Sequence, residues 1–336
     1  MPATKPKFDI KFLDPFPKAY EKWFNDDFHA RNFFIRYFTL LNIKIFSKSP
    51  IPDKAIIGKK GWLFTTDTEI KVYRCTDNFT ESQLKHITDV LNAWNVELEK
   101  EVIKLFIAFA PIKASVYNEY MPSNIFKIGK VSYPEQLRES ILKNTTIPFI
   151  DLCQPLREFK PEGNLFYITD NHWNHLGGFY ASKILIDALR KVFPQIPSFN
   201  VSDYKITSIK SHSGILAKMF AVPDLYEDLD YTISRENGIK AFEGQKSNYT
   251  PTPGFPYPWT YEEVRITNDA HLPKVLIFRD SFGDQVLPVI SNYFSKTTMI
   301  FDAWQYKINF DIVKNEKPDI VIIMPLECHI NHMNQY

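Results

Sequence analysis

Apolar residues recur with two different periods from about residue 51 onward. Spacing of three and four predicts helices at 82–100, 136–143, 176–192, 285–293 and about 305–316. Short continuous apolar runs predict strands buried on both faces at 102–110, 148–152, 274–278, 297–301 and 319–324. Alternation of strands with helices implies right-handed crossovers, so the pattern predicts an α/β fold, a three-layer α/β/α domain with a parallel sheet.

Two stretches depart from this pattern. Residues 15–47 carry many aromatic side chains at partly helical spacing, which predicts one or two amphipathic helices whose rings pack on the main body. Residues 194–270 hold seven prolines and many tyrosines and serines, which predicts an insertion or lid. With a proline-containing connector at 47–53, we expect an N-terminal helical extension at 1–50 and a main domain at 51–336.

Composition narrows the classes of partner and compartment. Lysine plus arginine number 40 and aspartate plus glutamate 39, and a net charge of +1 argues against nucleic acid or an anionic membrane as the main partner. No apolar run approaches the roughly 20 residues that span a bilayer. The N-terminal residues carry no secretory signal, so we expect a cytoplasmic chain or one whose leader or anchor lies outside this sequence.

The chain has three cysteines, Cys75, Cys153 and Cys328, which are too few for a disulfide framework. The sequence leaves open whether two of them form a single disulfide.

The first candidate for chemistry is D-N-H-W-N-H at 170–175, directly before a predicted helix. Asp170 and His172 are two residues apart, and a carboxylate beside an imidazole can fix its tautomer and stabilise its charged form. An ordinary helix start capped by Asp170 or Asn171 is the simpler alternative. His172 and His175 could instead bind a metal, but no further ligand accompanies them, so we expect neither a metal nor another cofactor.

The second candidate is R-D-S-F-G at 279–283, which follows the predicted strand 274–278. A serine at the C-terminal end of a parallel strand lies where α/β proteins place their active sites. Pro288 is tolerated only in a first turn, so the next helix should begin close to Ser281 and direct free N–H groups there, as an oxyanion hole requires. A turn that merely caps this helix is the alternative.

Together the two segments supply the parts of one catalytic unit. A serine nucleophile needs a general base, and the base needs an orienting acid. Ser281, His172 and Asp170 offer this set, each at an expected strand end.

Six sequence blocks occur in an order that is typical of one family. They are I-I-G-K-K-G-W-L-F at 56–64, A-P-I-K-A-S-V-Y at 110–117, T-D-N-H-W-N at 169–174, G-I-L-A-K-M at 214–219, R-D-S-F at 279–282 and K-P-D-I-V-I at 317–322. With these blocks the chain resembles, over about residues 51–330, the SGNH hydrolase-like domain of polysaccharide O-acetyltransferases, the AlgX/AlgJ-like alginate proteins and the related DHHW group. The resemblance implies Ser281 as nucleophile, His172 as base and Asp170 as the acid that orients it.

The chain also departs from the family pattern. Arg279 stands where glycine is common, and Glu327 is followed by Cys328 where the family usually has arginine. Further candidates for oxyanion or substrate contacts are Arg279, Asp280, Lys113 and Trp173. The Ser281 N–H is the expected first oxyanion donor, and Lys113 is a candidate for the second, with an ordinary surface or ion-paired lysine as the alternative.

The resemblance implies serine-dependent transfer of an acyl group, expected to be acetyl, onto polysaccharide or glycan hydroxyls. It implies an extracytoplasmic location, periplasmic or at the cell surface, with a membrane tether outside this sequence and an acyl donor that a membrane-bound O-acyltransferase could deliver. A carbohydrate esterase or deacetylase is one alternative, and a non-catalytic polysaccharide-binding subunit is another. Several aromatic side chains of the predicted lid could stack on sugar rings: Tyr204, Phe220, Tyr226, Tyr249, Tyr257 and Trp259.

Overall fold

The computed structural model describes residues 5–7, 16–27, 30–46, 48–301 and 304–335. The strands are β1 (Ala55–Ile57), β2 (Leu63–Thr65), β3 (Lys104–Phe109), β4 (Phe149–Asp151), β5 (Tyr204–His212), β6 (Glu227–Arg235), β7 (Phe242–Glu243), β8 (Glu262–Ile266), β9 (Lys274–Arg279), β10 (Lys296–Phe301) and β11 (Ile320–Met324). The helices are α1 (Phe16–Asp27), α2 (Arg31–Lys44), α3 (Thr68–Arg74), α4 (Glu81–Lys100), α5 (Lys113–Val116), α6 (Tyr133–Asn144), α7 (Cys153–Glu158), α8 (His175–Leu189), α9 (Ile215–Met219), α10 (Leu287–Ile290) and α11 (Phe310–Glu316).

A seven-stranded sheet in the order β4-β3-β11-β9-β10-β8-β7 forms the centre of the molecule. Strands β4, β3, β11, β9 and β10 are parallel to one another. Strand β8 pairs with β10, and β7 pairs with β8, and each of these two pairs is antiparallel. Every residue of β11 is buried, as are nearly all of β3 and β9, so both faces of the sheet are covered. The predicted three-layer α/β fold is confirmed, but the sheet is mixed rather than purely parallel.

The prediction that 194–270 is one insertion or lid needs correction. Strands β7 and β8 belong to the central sheet, and β8 was missed because only alternate positions face inward, among them Glu262 and Val264. Strands β5 and β6 form an antiparallel hairpin whose Tyr204 and Tyr231 join the main hydrophobic core. Much of this region is therefore part of the domain body.

Three predicted elements are shorter than expected. The strand predicted at 102–110 begins at Lys104, because Val102 is 89% exposed in a turn with a φ of 61°. The helix predicted at 285–293 spans only Leu287–Ile290, with Pro288 in its first turn. The helix predicted at 305–316 begins at Phe310, where the Asn309 side chain caps it.

The N-terminal region forms helices α1 and α2, although residues 1–4, 8–15 and 28–29 lie outside the described part of the chain. The expectation that its aromatic rings pack on the body is wrong for α2, since Phe33, Tyr37 and Phe38 are each more than half exposed. Helix α2 contacts the body through Leu40 and Ile43, which pack on a small separate apolar cluster. Phe33, Tyr37 and Phe38 lie at i, i+4 and i+5 and share one side of the helix, next to the side on which Leu40 and Ile43 contact the body.

Two further findings concern cross-links and membranes. All three cysteines are free thiols, so the bridge left open by the sequence is not formed. Within the described ranges, none of the helices is both long enough and apolar enough to cross a bilayer.

Candidate active site

The structure brings Ser281, His172 and Asp170 together at the C-terminal edge of the sheet. Ser281 follows β9, and His172 precedes α8. The His172 Nε2 atom lies 2.8 Å from Ser281 Oγ, and its Nδ1 atom lies 2.7 Å from Asp170 Oδ1. Ser281 is half-buried and the His172 side chain is 29% exposed, so a substrate can reach both reacting atoms.

The surroundings of Asp170 fix the tautomer of His172. Burial alone would raise the pKa of Asp170, but hydrogen bonds from the His172 ring and from the N–H groups of Ile215 and His172 hold this pKa well below its usual range. An ionised carboxylate can only accept hydrogen bonds, so Nδ1 must carry the proton that it receives. The Nε2 lone pair therefore points at the Ser281 hydroxyl, as a general base requires.

Lys113 contacts the backbone of segment 167–170, which carries Asp170, and the sequence did not indicate this role. It is fully buried, and its ammonium group donates to the carbonyl oxygens of Tyr167 (3.0 Å), Ile168 (3.2 Å) and Asp170 (2.6 Å). These contacts use all three N–H donors, so neither the proposed oxyanion contact nor the surface-lysine alternative holds. Lys113 instead fixes the backbone that carries Asp170.

Two aspartates of β6 also hold this segment, and the sequence analysis missed both. Asp228 is buried and accepts hydrogen bonds from the Ile168 N–H (2.5 Å), the Thr169 N–H (3.2 Å) and the Thr169 hydroxyl. Asp230 accepts from the Tyr167 hydroxyl (2.6 Å) and from His175 Nδ1 (2.8 Å). The sequence D-L-D at 228–230 could have indicated this shared role, because residues two apart on a strand face the same side.

Gly214 and Ile215 explain the fourth sequence block. Their N–H groups donate to the Thr169 hydroxyl (2.6 Å) and to Asp170 Oδ2 (2.9 Å). A Cβ atom at Gly214 would lie 2.4 Å from the Asp170 Cβ, so any larger residue would displace the carboxylate. Only the backbone N–H of Ile215 is used, so this contact does not depend on the Ile215 side chain.

The turn that carries Ser281 is held from two sides. Asp280 is buried; its Oδ1 accepts from the Phe282 N–H (2.9 Å), and its Oδ2 from the Leu326 N–H (2.7 Å) and the Tyr306 hydroxyl (2.8 Å). Trp173 is also buried, and its indole N–H donates to the Phe282 carbonyl (2.9 Å). Asp280 and Trp173 therefore position the turn, and the expectation that they contact substrate is not supported.

Arg279 lies behind the same turn and is fully buried. Its Nη1 donates to the Asp280 carbonyl (3.0 Å) and pairs with Asp284 (2.7 Å), while its guanidinium lies 4.9 Å from the Phe301 ring centroid. Its Nε and Nη2 atoms find no hydrogen-bond partner in the part of the chain that the structure describes. Burial removes Arg279 from direct contact with a substrate at Ser281.

The expected oxyanion donor is less strongly polarised than the sequence suggested. Ser281 opens a 3₁₀ turn of only four residues (Ser281–Asp284), and α10 begins later, at Leu287. So short a turn has almost no macrodipole, because dipoles must add over several turns. The Ser281 N–H can still act as a single hydrogen-bond donor.

Two further titratable residues near the site, His175 and Glu327, are held by protein contacts. His175, considered as a metal ligand, is paired with Asp230, and the described residues hold no group of three or more His, Cys, Asp or Glu side chains that could bind a metal ion. Glu327 accepts from the Ile112 N–H (2.9 Å) and from the Ser115 hydroxyl, and burial raises the pKa of Glu327 to about 7.

The fold is similar to that of several solved structures. Bacillus cereus PatB1, solved with a sulfonyl adduct, superposes with a TM-score of 0.60 at 14% identity and covers 84% of this chain and 97% of its own. The O-acetyltransferase domain of Pseudomonas putida AlgJ gives a TM-score of 0.54 at 16% identity, covering 83% of this chain and 92% of its own. At such identities the likeness shows the fold alone.

Sequence relatives are found among proteins named probable alginate O-acetylase AlgJ. The protein from Pseudomonas syringae is 28% identical over 177 residues, which is 53% of this chain and 43% of that protein. The protein from Pseudomonas aeruginosa is 26% identical over 219 residues, which is 63% of this chain and 52% of that protein. The chain thus spans about half the length of these relatives.

A family-level match confirms the resemblance inferred from the six blocks. The family described as "SGNH hydrolase-like domain, acetyltransferase AlgX" matches residues 55–246, which is more than half of the chain. The match includes Asp170 and His172 and ends before Ser281. The chain belongs to the family of SGNH hydrolase-like domains typified by the acetyltransferase AlgX.

Proposed function

We propose that this chain is a serine-dependent O-acyltransferase that moves an acyl group, expected to be acetyl, onto hydroxyl groups of a polysaccharide. The observation that carries the proposal is the 2.8 Å contact between His172 Nε2 and Ser281 Oγ, with Asp170 on the other ring nitrogen. Membership of the AlgX-type family and the names of the AlgJ relatives support acetyl as the group and a polysaccharide as the acceptor.

The first half-reaction loads the enzyme. His172 Nε2 takes the Ser281 proton while Oγ attacks the acyl carbonyl, and the Ser281 N–H stabilises the oxyanion that forms. Collapse of this intermediate breaks the bond to the donor, and the proton on Nε2 goes to the leaving oxygen. The product is an acyl ester on Ser281.

The second half-reaction transfers the acyl group. His172 removes a proton from an acceptor hydroxyl, whose oxygen attacks the acyl-serine carbonyl. Collapse returns the proton from Nε2 to Ser281 Oγ and releases the acylated acceptor. Asp170 stabilises the imidazolium formed in each half-reaction.

Hydrolysis is the second candidate, with the chain acting as an esterase or deacetylase. The His172 side chain is 29% exposed, so water can reach an acyl-serine when no sugar hydroxyl is bound. Exclusion of water by a bound acceptor would favour transfer.

The wider setting is part of the same proposal. Residues 51–336 form the catalytic domain and residues 1–50 a helical extension. The family resemblance supports an extracytoplasmic location, a tether outside this sequence, and a membrane-bound O-acyltransferase as the source of the acyl group.

Trapping the acyl-enzyme tests the proposal. After brief exposure to p-nitrophenyl acetate, intact-protein mass spectrometry should find one added acetyl group, and peptide mapping should place it on Ser281. Ser281→Ala should abolish the adduct, whereas Ser208→Ala, at an exposed serine of β5, should retain it. Equal labelling of the Ser281→Ala variant would contradict the mechanism.

A further inference from the structure

Four aromatic side chains pack together near the C-terminal end of β10. We call it the aromatic platform, and it consists of Phe255, Tyr257, Trp259 and Phe301. The rings of Tyr257 and Phe301 stack nearly parallel, with centroids 6.0 Å apart and planes inclined by 8°. Tyr257 also meets Trp259 edge-on at 6.0 Å, and Phe255 meets Phe301 edge-on at 5.4 Å. Tyr257 is 42% exposed and Trp259 is 70% exposed, so the platform presents aromatic surface to solvent.

The platform lies at the same edge of the sheet as the candidate active site. Phe301 is the last residue of β10 and the register partner of Arg279 on β9. The Arg279 guanidinium lies 4.9 Å from the Phe301 ring centroid, and Ser281 follows two residues later in the chain. The Arg279 and Phe301 side chains are both buried, and β9 and β10 are parallel, so the contact places the platform behind the Ser281 turn and at the same edge of the sheet as the nucleophile.

Polar groups border the aromatic rings. A cavity of about 180 Å³ adjoins Phe255 and Phe301 and is also lined by Thr252 and Gln305. A neighbouring cavity of about 560 Å³ shares Thr252 and Gln305 and adds Asn309 among its polar lining residues. Hydroxyl and amide groups of this kind can both donate hydrogen bonds to sugar hydroxyls and accept them.

We infer that the aromatic platform binds sugar rings of the polysaccharide acceptor. The flat aromatic faces match the apolar C–H faces of a sugar ring, and the polar border matches its hydroxyl edge. This inference rests on the proposed function, because it names the place where the acceptor of Ser281 chemistry binds. Of the aromatic residues that the sequence suggested for sugar stacking, Tyr204 and Phe220 are buried, whereas Tyr257 and Trp259 are accessible.

The test compares acceptor-dependent and acceptor-independent reactions in Trp259→Ala and in the double variant Tyr257→Ala/Trp259→Ala. Acetyl transfer from p-nitrophenyl acetate to a mannuronate hexamer, or to cellohexaose as a neutral glycan, reports on acceptor binding. We expect KM for the hexamer that serves as acceptor to rise about tenfold, which corresponds to the loss of roughly one aromatic contact. Hydrolysis of p-nitrophenyl acetate without acceptor should change less than about twofold, because that ester reaches Ser281 without the platform.

Direct binding and a matched control complete the experiment. Calorimetric titration with each hexamer should give weaker binding to the Trp259→Ala variant than to the wild type. Phe126→Ala removes a 64%-exposed aromatic residue that is not part of the platform and should leave both binding and transfer unchanged. Unchanged hexamer binding and transfer in the double variant would overturn the platform and leave the proposed function intact. By contrast, ester hydrolysis that survives Ser281→Ala would overturn the proposed function itself.

Discussion

At the scale of single residues, the candidate triad is linked by two hydrogen bonds. Loss of any one member should therefore impair the same catalytic step. We predict that Ser281→Ala and His172→Ala each lower kcat for acetyl ester cleavage by about four orders of magnitude or more. The double variant should be little worse than either, because residues that act as one unit are not additive. Asp170→Asn should be about tenfold to a hundredfold less damaging, since a misoriented base keeps some function.

Steady-state kinetics of purified variants with p-nitrophenyl acetate would measure these effects. Circular dichroism controls for folding, which all three single variants should retain because none of the three side chains is in the core. Losses that multiply in the double variant would contradict a shared mechanism.

Lys113 gives a second prediction at this scale. Lys113→Met fills a similar volume but leaves the carbonyls of Tyr167, Ile168 and Asp170 without their donor. We expect kcat to fall about tenfold to a hundredfold with little change in KM, because displacement of Asp170 disturbs the base rather than substrate binding.

Lys160→Met is the matched control for this prediction. Lys160 also donates to a backbone carbonyl, that of Val116 at 3.2 Å, but it does not contact the 167–170 segment. Lys160→Met should keep kcat near the wild-type value, and full kcat in Lys113→Met would show that Lys113 does not position the site.

The sequence could predict which residues carry the chemistry, but not which residues hold them. The proximity of Ser281 and His172 follows from strand-end rules, because both motifs lie where an α/β fold gathers its site. The partners of Lys113 and Asp280 depend on tertiary contacts between distant segments, and a lysine or aspartate has many such partners available. Composition and spacing therefore suggested a surface lysine where the structure has a fully buried one.

At the scale of elements, the β5–β6 hairpin acts as a support for the segment that carries Asp170. We predict that Asp228→Asn lowers kcat about tenfold or more and destabilises the fold by roughly 1–3 kcal/mol. The new amide presents N–H donors to a site where the N–H groups of Ile168 and Thr169 require acceptors.

Urea denaturation and ester kinetics per folded molecule would test the role of the hairpin. Glu227→Gln on the same strand is the control, because Glu227 makes an exposed ion pair with Lys210 and such pairs contribute little. Wild-type turnover in Asp228→Asn would show that the hairpin does not position the site.

Strands whose apolar residues form a clear pattern could be predicted from the sequence, and strands whose apolar pattern is incomplete could not. The central strands are continuous apolar runs, so β3, β9, β10 and β11 were identified with only small errors at their ends. Strand β8 has one inward face with Glu262 on it, and its apolar pattern is therefore incomplete. The proline-rich surroundings then suggested a lid.

At the scale of the whole molecule, Glu327 links stability to pH. Burial raises its pKa from 4.5 to about 7, so the folded state binds a proton that the unfolded state has already released between these values. The free energy of unfolding should therefore fall as pH rises from about 4.5 to 7, by up to about 3 kcal/mol from this group.

Glu327→Gln mimics the protonated form and should flatten that part of the pH profile. Urea denaturation at pH 5 and pH 8 measures the difference, with Glu139→Gln, an exposed glutamate of α6, as the control. Identical pH dependence in Glu327→Gln and the wild type would rule out this contribution.

The position of β11 has a consequence for how the protein comes to be made. This strand is synthesised after the other six strands of the sheet, yet it lies between β3 and β9, with Ile320 as the register partner of both Lys104 and Val275. On the ribosome, β3 and β9 are complete before the strand that joins them exists, so their facing edges stay unpaired until β11 has been synthesised. Such non-local closure is slow and favours aggregation, and protection by a chaperone during synthesis would matter more for this chain than for one whose central strand comes first.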